Sequence, residues 1–143
     1  MPKPLVMIAD ANAHIRCFLK RELVAEGFDV LSAKMHAEVL RRLETVPAPD
    51  LVILDPDLPF IGGDGTLAHI RSKKPLLPVI VYTAYAEDAE NPLFAGADAV
   101  VEKIPNPALL IQTVQRLLSQ PGLMQKPPAM HLKTHPASGE DSE

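Results

Sequence analysis

Short apolar runs alternate with amphipathic stretches from residue 5 to about residue 119. In four runs the apolar residues are consecutive or nearly so, which is typical of strands in a parallel sheet that is covered on both faces. These runs are Leu5–Ala9, Leu51–Leu54, Val79–Tyr82 and Ala99–Glu102. A fifth run, Phe28–Ser32, alternates between apolar and polar residues and predicts a strand nearer the edge of the sheet.

Apolar residues at helical spacing follow these strands and predict a helix after each one. The clearest helices cover about Asn12–Glu26, His36–Glu44 and Thr66–Ser72, with a last one that starts at Pro107. A further helix is expected over Ala84–Ala95, although Pro92 interrupts it and proline costs about 3 kcal/mol in a helix interior. Five strand–helix units with short connections predict a doubly wound, five-stranded parallel sheet.

The composition changes at about residue 120. Residues 120–143 are rich in proline and include the acids Glu140, Asp141 and Glu143. A segment this polar cannot bury enough apolar surface to fold, so we expect a disordered tail. Residues 1–119 then form one domain, which is consistent with a chain of 143 residues that is 47% hydrophobic.

Charge and cysteine content argue against several classes of function. The net charge of −4 and the pI near 5.7 disfavour nucleic-acid binding, because counterion release needs clustered Lys and Arg. No stretch is apolar for long enough to span a membrane, and neither a basic membrane-binding patch nor a signal peptide is recognisable. The single cysteine, Cys17, cannot form an internal disulfide. We therefore expect a cytoplasmic protein.

Four polar residues stand at the ends of predicted strands. Asp10, Asp55, Thr83 and Lys103 each follow one of the consecutive apolar runs. The C-terminal ends of parallel strands meet at one edge of the sheet, where α/β proteins bind ligands. Two carboxylates suit Mg²⁺, which prefers oxygen ligands, while an ammonium and a hydroxyl suit phosphoryl oxygens. The sequence therefore predicts a site for magnesium and a phosphoryl group.

Each residue of this set has a predicted role. Asp55 is the candidate nucleophile that accepts the phosphoryl group, and Asp10 and Asp55 are candidate metal ligands. Lys103 would contact one phosphoryl oxygen, and Thr83 would donate its hydroxyl to another and so sense the modification. The backbone carbonyl of Asp57 is a candidate third metal ligand. Two alternatives stay open: Asp10 could cap the following helix, and Lys103 could be a solvated strand-end residue.

The order of these segments resembles the receiver domain of two-component response regulators, over nearly all of residues 5–118. The matching segments are Asp50–Asp55 with Leu58-Pro59, Pro78–Ala84, Gly96–Ala99 with Lys103, and Ile15-Arg16. The resemblance implies a flavodoxin-like (βα)5 fold and a cytosolic signalling protein. It also implies that a sensor histidine kinase or a phosphotransfer protein phosphorylates Asp55.

Three features depart from the pattern of that family. The family has two adjacent acids after the first strand, whereas here Asp10 is followed by Ala11, so we expect weakened Mg²⁺ binding. The side chain of Asp57 could compensate for the missing acid. Val100 stands where many receivers have Tyr or Phe, and valine cannot act as an aromatic rotamer switch. The loop at residues 60–65 is about two residues longer than usual, and the segment 84–95 is about two shorter.

Two functional hypotheses follow. In the first, the chain is a stand-alone receiver that is phosphorylated on Asp55 and signals by binding an output protein. In the second, which Ala11 and Val100 favour, it is a degenerate receiver that acts as a phosphorylation-independent interaction domain. A small phosphatase or nucleotide-binding enzyme is disfavoured because the strand-end loops are short, so we predict no enzymatic activity. The family resemblance allows a homodimer through the fourth and fifth helices, and the sequence identifies neither kinase nor output partner.

Overall fold

The computed structural model describes residues 3–59, 65–86, 91–119 and 130–132. The strands are β1 (Leu5–Ala9), β2 (Asp29–Ala33), β3 (Leu51–Leu54), β4 (Val79–Thr83), β5 (Ala99–Glu102) and β6 (Met130–Leu132). The helices are α1 (Ala13–Ala25), α2 (His36–Leu43), α3 (Thr66–Lys73) and α4 (Ala108–Leu118), and a short 3-10 helix covers Pro92–Phe94.

All paired strands are parallel, in the order β2-β1-β3-β4-β5-β6. The chain starts beside the centre of the sheet, moves out to β2, and then crosses back to build the other half. This reversal is the mark of a doubly wound sheet, and it creates a crevice at the C-terminal ends of β1 and β3. The predicted five-stranded, flavodoxin-like arrangement is confirmed for β1–β5, and β6 adds a sixth strand beside β5.

The consecutive apolar residues of the central strands serve two separate cores. Alternate residues point to opposite faces of the sheet. On one face Val6, Ile8 and Ile53 pack with residues of α1 and α4, including Leu19 and Leu110. On the other face the strand residues Met7, Val52, Val81 and Val100 pack with residues of α2 and α3, including Val39 and Ile70. Helices therefore cover both faces, which explains why these strands lack an alternating pattern.

A buried ion pair holds the N-terminal ends of β4 and β5 together. Arg71 in α3 donates from Nη2 to Oδ2 of Asp98 at 2.7 Å, from Nε to the carbonyl of Gly96 at 2.7 Å and from Nη1 to the carbonyl of Leu77 at 2.6 Å. The same Asp98 oxygen accepts the backbone N–H of Val79 at 2.8 Å. One guanidinium thus links α3 to the two loops that precede β4 and β5.

The predicted helix over Ala84–Ala95 is wrong in the residues that the structure describes. Residues 84–86 are not α-helical, and Pro92–Phe94 form a 3-10 turn rather than part of an α-helix. Residues 87–90 lie outside the described residues. Proline has no N–H to donate to a preceding turn, but it fits the first position of a short helix, where that donor is not needed. The described part of the chain therefore has four α-helices rather than the five expected.

Residues 130–132, within the segment expected to be a disordered tail, form β6. This strand pairs in parallel with β5, with Ala99 opposite Met130 and Val101 opposite Leu132. Without it, the outer N–H and C=O groups of β5 would lie at an open edge. The tail backbone supplies partners for that edge. The rest of the predicted tail, residues 120–129 and 133–143, lies outside the described residues.

Within the described ranges, no helix combines the length and the hydrophobicity needed to cross a membrane.

Candidate functional site

The C-terminal ends of β1, β3 and β5 bring two carboxylates to one ammonium. Lys103 Nζ lies 2.9 Å from Asp10 Oδ2 and 3.3 Å from Asp55 Oδ2. The side chains are largely buried, with exposures of 20% for Lys103, 4% for Asp10 and 15% for Asp55. Asp10 and Lys103 are 93 positions apart in the sequence, with Asp55 between them. The three residues therefore meet at the edge of the sheet that the strand pattern predicted.

Hydrogen bonds from Asn12 and Arg16 hold Asp10 in place. Its Oδ1 accepts the N–H of Asn12 at 2.9 Å, and its carbonyl accepts a hydrogen bond from Arg16 Nη1 at 2.7 Å. Asn12 is the residue that caps α1, with its side chain accepting from the N–H groups of His14 and Ile15. The alternative in which Asp10 caps this helix does not apply, because Asn12 takes that role. Asp10 is left with Oδ2 directed at Lys103.

Asp55 has one oxygen held by backbone and one held by the lysine. Its Oδ1 accepts the N–H of Asp57 at 2.9 Å, and its Oδ2 faces Lys103. Burial raises the pKa of the Asp55 carboxyl, and the negative charge of Asp10 adds to this effect. The Asp57 N–H and the Lys103 ammonium oppose the shift, but the net direction is upward. The carboxylate is therefore held in an environment that favours the loss of its charge.

Lys103 is stabilised as a cation although its side chain is largely buried. Burial alone would lower its pKa, but the hydrogen bond and charge of Asp10, together with Asp55, raise it. The ammonium also lies 5.7 Å from the centre of the Tyr82 ring, within the range of a cation–π contact. Its backbone N–H donates to the carbonyl of Thr83 at 2.8 Å, which anchors the end of β5 to β4. The alternative of a solvated strand-end lysine does not describe this residue.

The remaining predicted residues lie around this cluster with different exposures. Thr83 is buried at the end of β4, and its Oγ1 accepts the N–H of Tyr85 at 3.1 Å. This bond leaves the hydroxyl proton of Thr83 available for another acceptor. Asp57 is exposed, and its described contact is the backbone N–H that it gives to Asp55. Val100 is buried in the core beneath α2 and α3.

The arrangement combines a fixed cation with an excess of negative charge. One ammonium lies between two carboxylates, so the cluster carries a formal charge of −1 when all three groups are ionised. Oxygens from Asp10 and Asp55 already converge on a single positive group. Carboxylate oxygens that converge in this way are the donors that a hard divalent cation prefers. The geometry can therefore accept additional positive charge and then an anionic group beside Lys103.

Sequence reasoning missed several contacts around the site. Arg16 was noticed only as part of the family pattern, and its bond to the Asp10 carbonyl could not be predicted from spacing. Tyr82 was assigned to a strand, with no sign that its ring would lie near Lys103. His36 and His69 are 33 positions apart in the sequence, but their rings are in contact. These pairs join distant segments, so only the fold brings them together.

Comparison with known proteins assigns this architecture to a family. Residues 6–115 match the family described as the response regulator receiver domain. The chain therefore belongs to the response regulator receiver domain family, whose members are generally signalling modules of two-component systems and not enzymes.

Two solved structures illustrate the similarity. The response regulator TrrA of Thermotoga maritima in complex with Mg(2+)-BeF has a TM-score of 0.73 and 32% identity, covering 80% of this chain and 98% of that chain. The complex of the histidine kinase ThkA with TrrA gives a TM-score of 0.73 and 33% identity over the same shares.

Curated relatives are longer than this chain. The transcriptional activator ExaE of Pseudomonas putida is 30% identical over 139 residues, which are 94% of this chain and 64% of ExaE. The DNA-binding transcriptional regulator NtrC of Escherichia coli K12 is 28% identical over 130 residues, which are 89% of this chain and 27% of NtrC. The chain thus spans about a quarter of NtrC and somewhat under two thirds of ExaE.

Proposed function

We propose that this receiver accepts a phosphoryl group on Asp55 and signals by binding a partner. The observation that carries the proposal is the convergence of Asp10 and Asp55 on Lys103, at 2.9 and 3.3 Å. Two carboxylates share one cation in this cluster, so the three groups do not form a balanced ion pair. Burial also raises the pKa of the Asp55 carboxyl, and carboxyl groups with perturbed pKa values are common at functional sites.

The chemistry assigned to Asp55 is a nucleophilic displacement at phosphorus. A carboxylate oxygen of Asp55 forms the new P–O bond, while the bond between phosphorus and the donor group breaks and the donor keeps the electron pair. Lys103 would then contact a phosphoryl oxygen and compensate for its charge. Thr83 would donate its hydroxyl to another oxygen, because its Oγ1 already accepts from Tyr85 and its proton is available.

Asp10 and Asp55 fit the requirements of Mg²⁺, since their oxygens converge on one positive group and are hard donors. We propose that these carboxylates and the backbone carbonyl of Asp57 hold the ion, with the Asp57 side chain as a further candidate ligand. Bound Mg²⁺ supplies neutralisation of charge on the phosphoryl oxygens. Ala11 contributes no carboxylate, so the affinity should be lower than in a site with two adjacent acids.

The phosphoryl donor would be a sensor histidine kinase or a phosphotransfer protein. This part of the proposal is supported by the similarity to TrrA, a response regulator whose complex with the histidine kinase ThkA has been solved. The output would be a change in binding to a second protein, in the cytoplasm and without nucleic-acid or membrane contact by this domain. Self-association to a homodimer is one form that the output could take.

A second candidate function is a phosphorylation-independent interaction domain. Two observations favour it. Ala11 removes one acid beside Asp10, and Val100 is a small residue that is 1% exposed in the core, where it cannot rotate an aromatic ring between core and surface. In that case the cluster at Lys103 would serve only to hold the ends of β1, β3 and β5 together.

Intact mass after incubation with acetyl phosphate and Mg²⁺ separates the two candidates. The phospho-acceptor predicts a gain of one phosphoryl group for the wild type and for Asp29→Asn, which removes an exposed acid at the start of β2. It predicts no gain for Asp55→Asn. If the wild type gains nothing with acetyl phosphate or with histidine-phosphorylated donors at high Mg²⁺, the interaction domain is the correct function.

A further inference from the structure

Two histidines from different helices form a hydrogen-bonded pair outside the acidic cluster. His36 is the first residue of α2, and His69 lies in α3, which packs against α2. His69 Nδ1 is 2.8 Å from His36 Nε2, and the ring centroids are 4.8 Å apart. His36 Nδ1 lies 2.9 Å from Oγ1 of Thr66, the first residue of α3. The pair therefore connects the beginnings of two helices.

We infer that His36 and His69 are the protein ligands of a binding site for a borderline divalent transition metal such as Zn²⁺. Imidazole nitrogen is a common ligand of such ions, which bind it at about 2.0–2.1 Å. Tetrahedral coordination at those lengths places two nitrogens about 3.3–3.4 Å apart. The observed 2.8 Å requires an opening of about half an ångström, which small rotations of the exposed His69 ring can provide.

The hydrogen bonding of His36 prepares it for this role. When its Nδ1–H donates to Thr66, its Nε2 accepts the Nδ1–H of His69, and a metal ion would take the place of that proton once His69 carries its proton on Nε2. Metal-binding histidines typically have their other nitrogen oriented by an acceptor in this way. Burial, followed by the neighbouring His69, also lowers the pKa of His36, which favours the neutral ring. Metal binding needs the neutral form.

The small number of protein ligands limits the affinity of the site for a metal ion. In the ranges that the structure describes, no third His, Cys, Asp or Glu joins the pair in a metal-binding group. Two protein ligands leave the other positions to water or to a further ligand. The backbone N–H of His36 also donates to the carbonyl of Pro59 at 3.0 Å. A bound ion would therefore fix Thr66 and Pro59, which flank residues 60–64, relative to each other.

Zinc titration of the full chain in a Cys17→Ser background, without Mg²⁺, tests the inference. Binding is followed by calorimetry and by the ring-proton NMR signals of the five histidines. We expect one saturable equivalent that shifts the His36 and His69 signals together. His69→Ala should weaken this binding by about tenfold or more. His14→Ala, the same change at an exposed residue of α1, should leave it unaltered.

Several results would overturn the site. These are the absence of saturable binding, equal affinity in the wild type and His69→Ala, or zinc-induced shifts confined to other histidines. If His69→Ala alters the fold, His69→Gln gives the same comparison with a polar side chain of similar length. The proposal does not depend on phosphorylation, so failure of Asp55 to accept phosphate would leave it standing.

Discussion

The two buried ion clusters at opposite edges of the sheet serve different purposes. At the N-terminal edge, Arg71 and Asp98 approach to 2.7 Å. The guanidinium also donates to two backbone carbonyls, and the carboxylate also accepts a backbone N–H. At the C-terminal edge, Lys103 is shared by Asp10 and Asp55 at longer and unequal distances. The first cluster has one acid for one cation, and the second has two.

The difference shows how a similar set of residues can stabilise a fold or leave a site reactive. A planar guanidinium gives several directed bonds and holds loops in place. A compact ammonium holds two carboxylates by charge and can be shared with an incoming anion. Mutations should therefore affect stability at the Arg71 edge and chemistry at the Lys103 edge.

The largest expected effect is on stability, at Asp98. Asp98→Ala leaves the Arg71 guanidinium in a mostly buried position without its carboxylate, and this should lower the free energy of unfolding by about 3–5 kcal/mol. Chemical denaturation followed by circular dichroism measures the loss. As the matched control, Arg41→Ala removes an exposed pair with Glu38 at 3.8 Å and should cost less than about 1 kcal/mol. Equal losses in the two variants would contradict the structural role of Asp98.

A smaller effect is expected at the metal ligands. Ala11→Asp restores an acid beside Asp10 and should tighten Mg²⁺ binding by on the order of tenfold, because hard cations are held largely by ligand charge. Calorimetric titration measures the affinity. Ala13→Asp adds the same charge at the exposed first residue of α1 and should change the affinity much less. An equal gain in both variants would show a general charge effect and no ligand at position 11.

The same titration tests the side chain of Asp57. Asp57→Asn keeps the backbone carbonyl and the N–H bond to Asp55 but removes the negative charge. If this side chain compensates for Ala11, the variant should bind Mg²⁺ several-fold more weakly, on the order of the loss of one charged ligand. Unchanged affinity would limit Asp57 to its backbone groups.

The smallest effect is a pH dependence of stability at Asp55. The folded-state pKa of this carboxyl is raised, so the folded chain binds its proton more tightly than the unfolded chain does. Its contribution to stability is therefore largest below the ordinary Asp value and is lost as the pH rises through the folded pKa. Asp55→Asn removes this loss, so its stability relative to the wild type should increase between about pH 3 and pH 7.

Denaturation curves at several pH values measure this trend, and Asp29→Asn gives the effect of removing one exposed charge. A stability difference for Asp55→Asn that falls as the pH rises would contradict the direction of the pKa shift. It would mean that the bond from Lys103 outweighs the burial of the carboxyl.

Much of the fold could be predicted because local sequence and tertiary structure agree. The apolar runs at β1, β3, β4 and β5 need no knowledge of their partners, and Asn12 is a strong helix-capping residue. The prediction of a helix over Ala84–Ala95 was wrong because it assumed a regular alternation of strands and helices. Pro92 begins a 3-10 turn instead. The sequence did not predict β6, because a strand of three residues forms only through its pairing with β5.

The candidate site was also predicted only in part. The strand ends predicted that Asp10, Asp55 and Lys103 lie at one edge of the sheet, since parallel strands share their direction. Their distances, the shared use of Lys103 and the raised pKa of Asp55 depend on burial and side-chain rotamers, which spacing does not determine. The pairing of His36 with His69 depends on how α2 packs against α3, so no local pattern could reveal it.

The most direct test of the account is to locate the phosphoryl group. The chain is incubated with acetyl phosphate and Mg²⁺ and treated with borohydride, which reduces an acyl phosphate to an alcohol, and the modified residue is then identified by peptide mapping. The account predicts reduction at Asp55 alone, converting it to homoserine, and no product in Asp55→Asn. Reduction at Asp10 or Asp57, or none in the folded wild type with any phosphoryl donor, would contradict it.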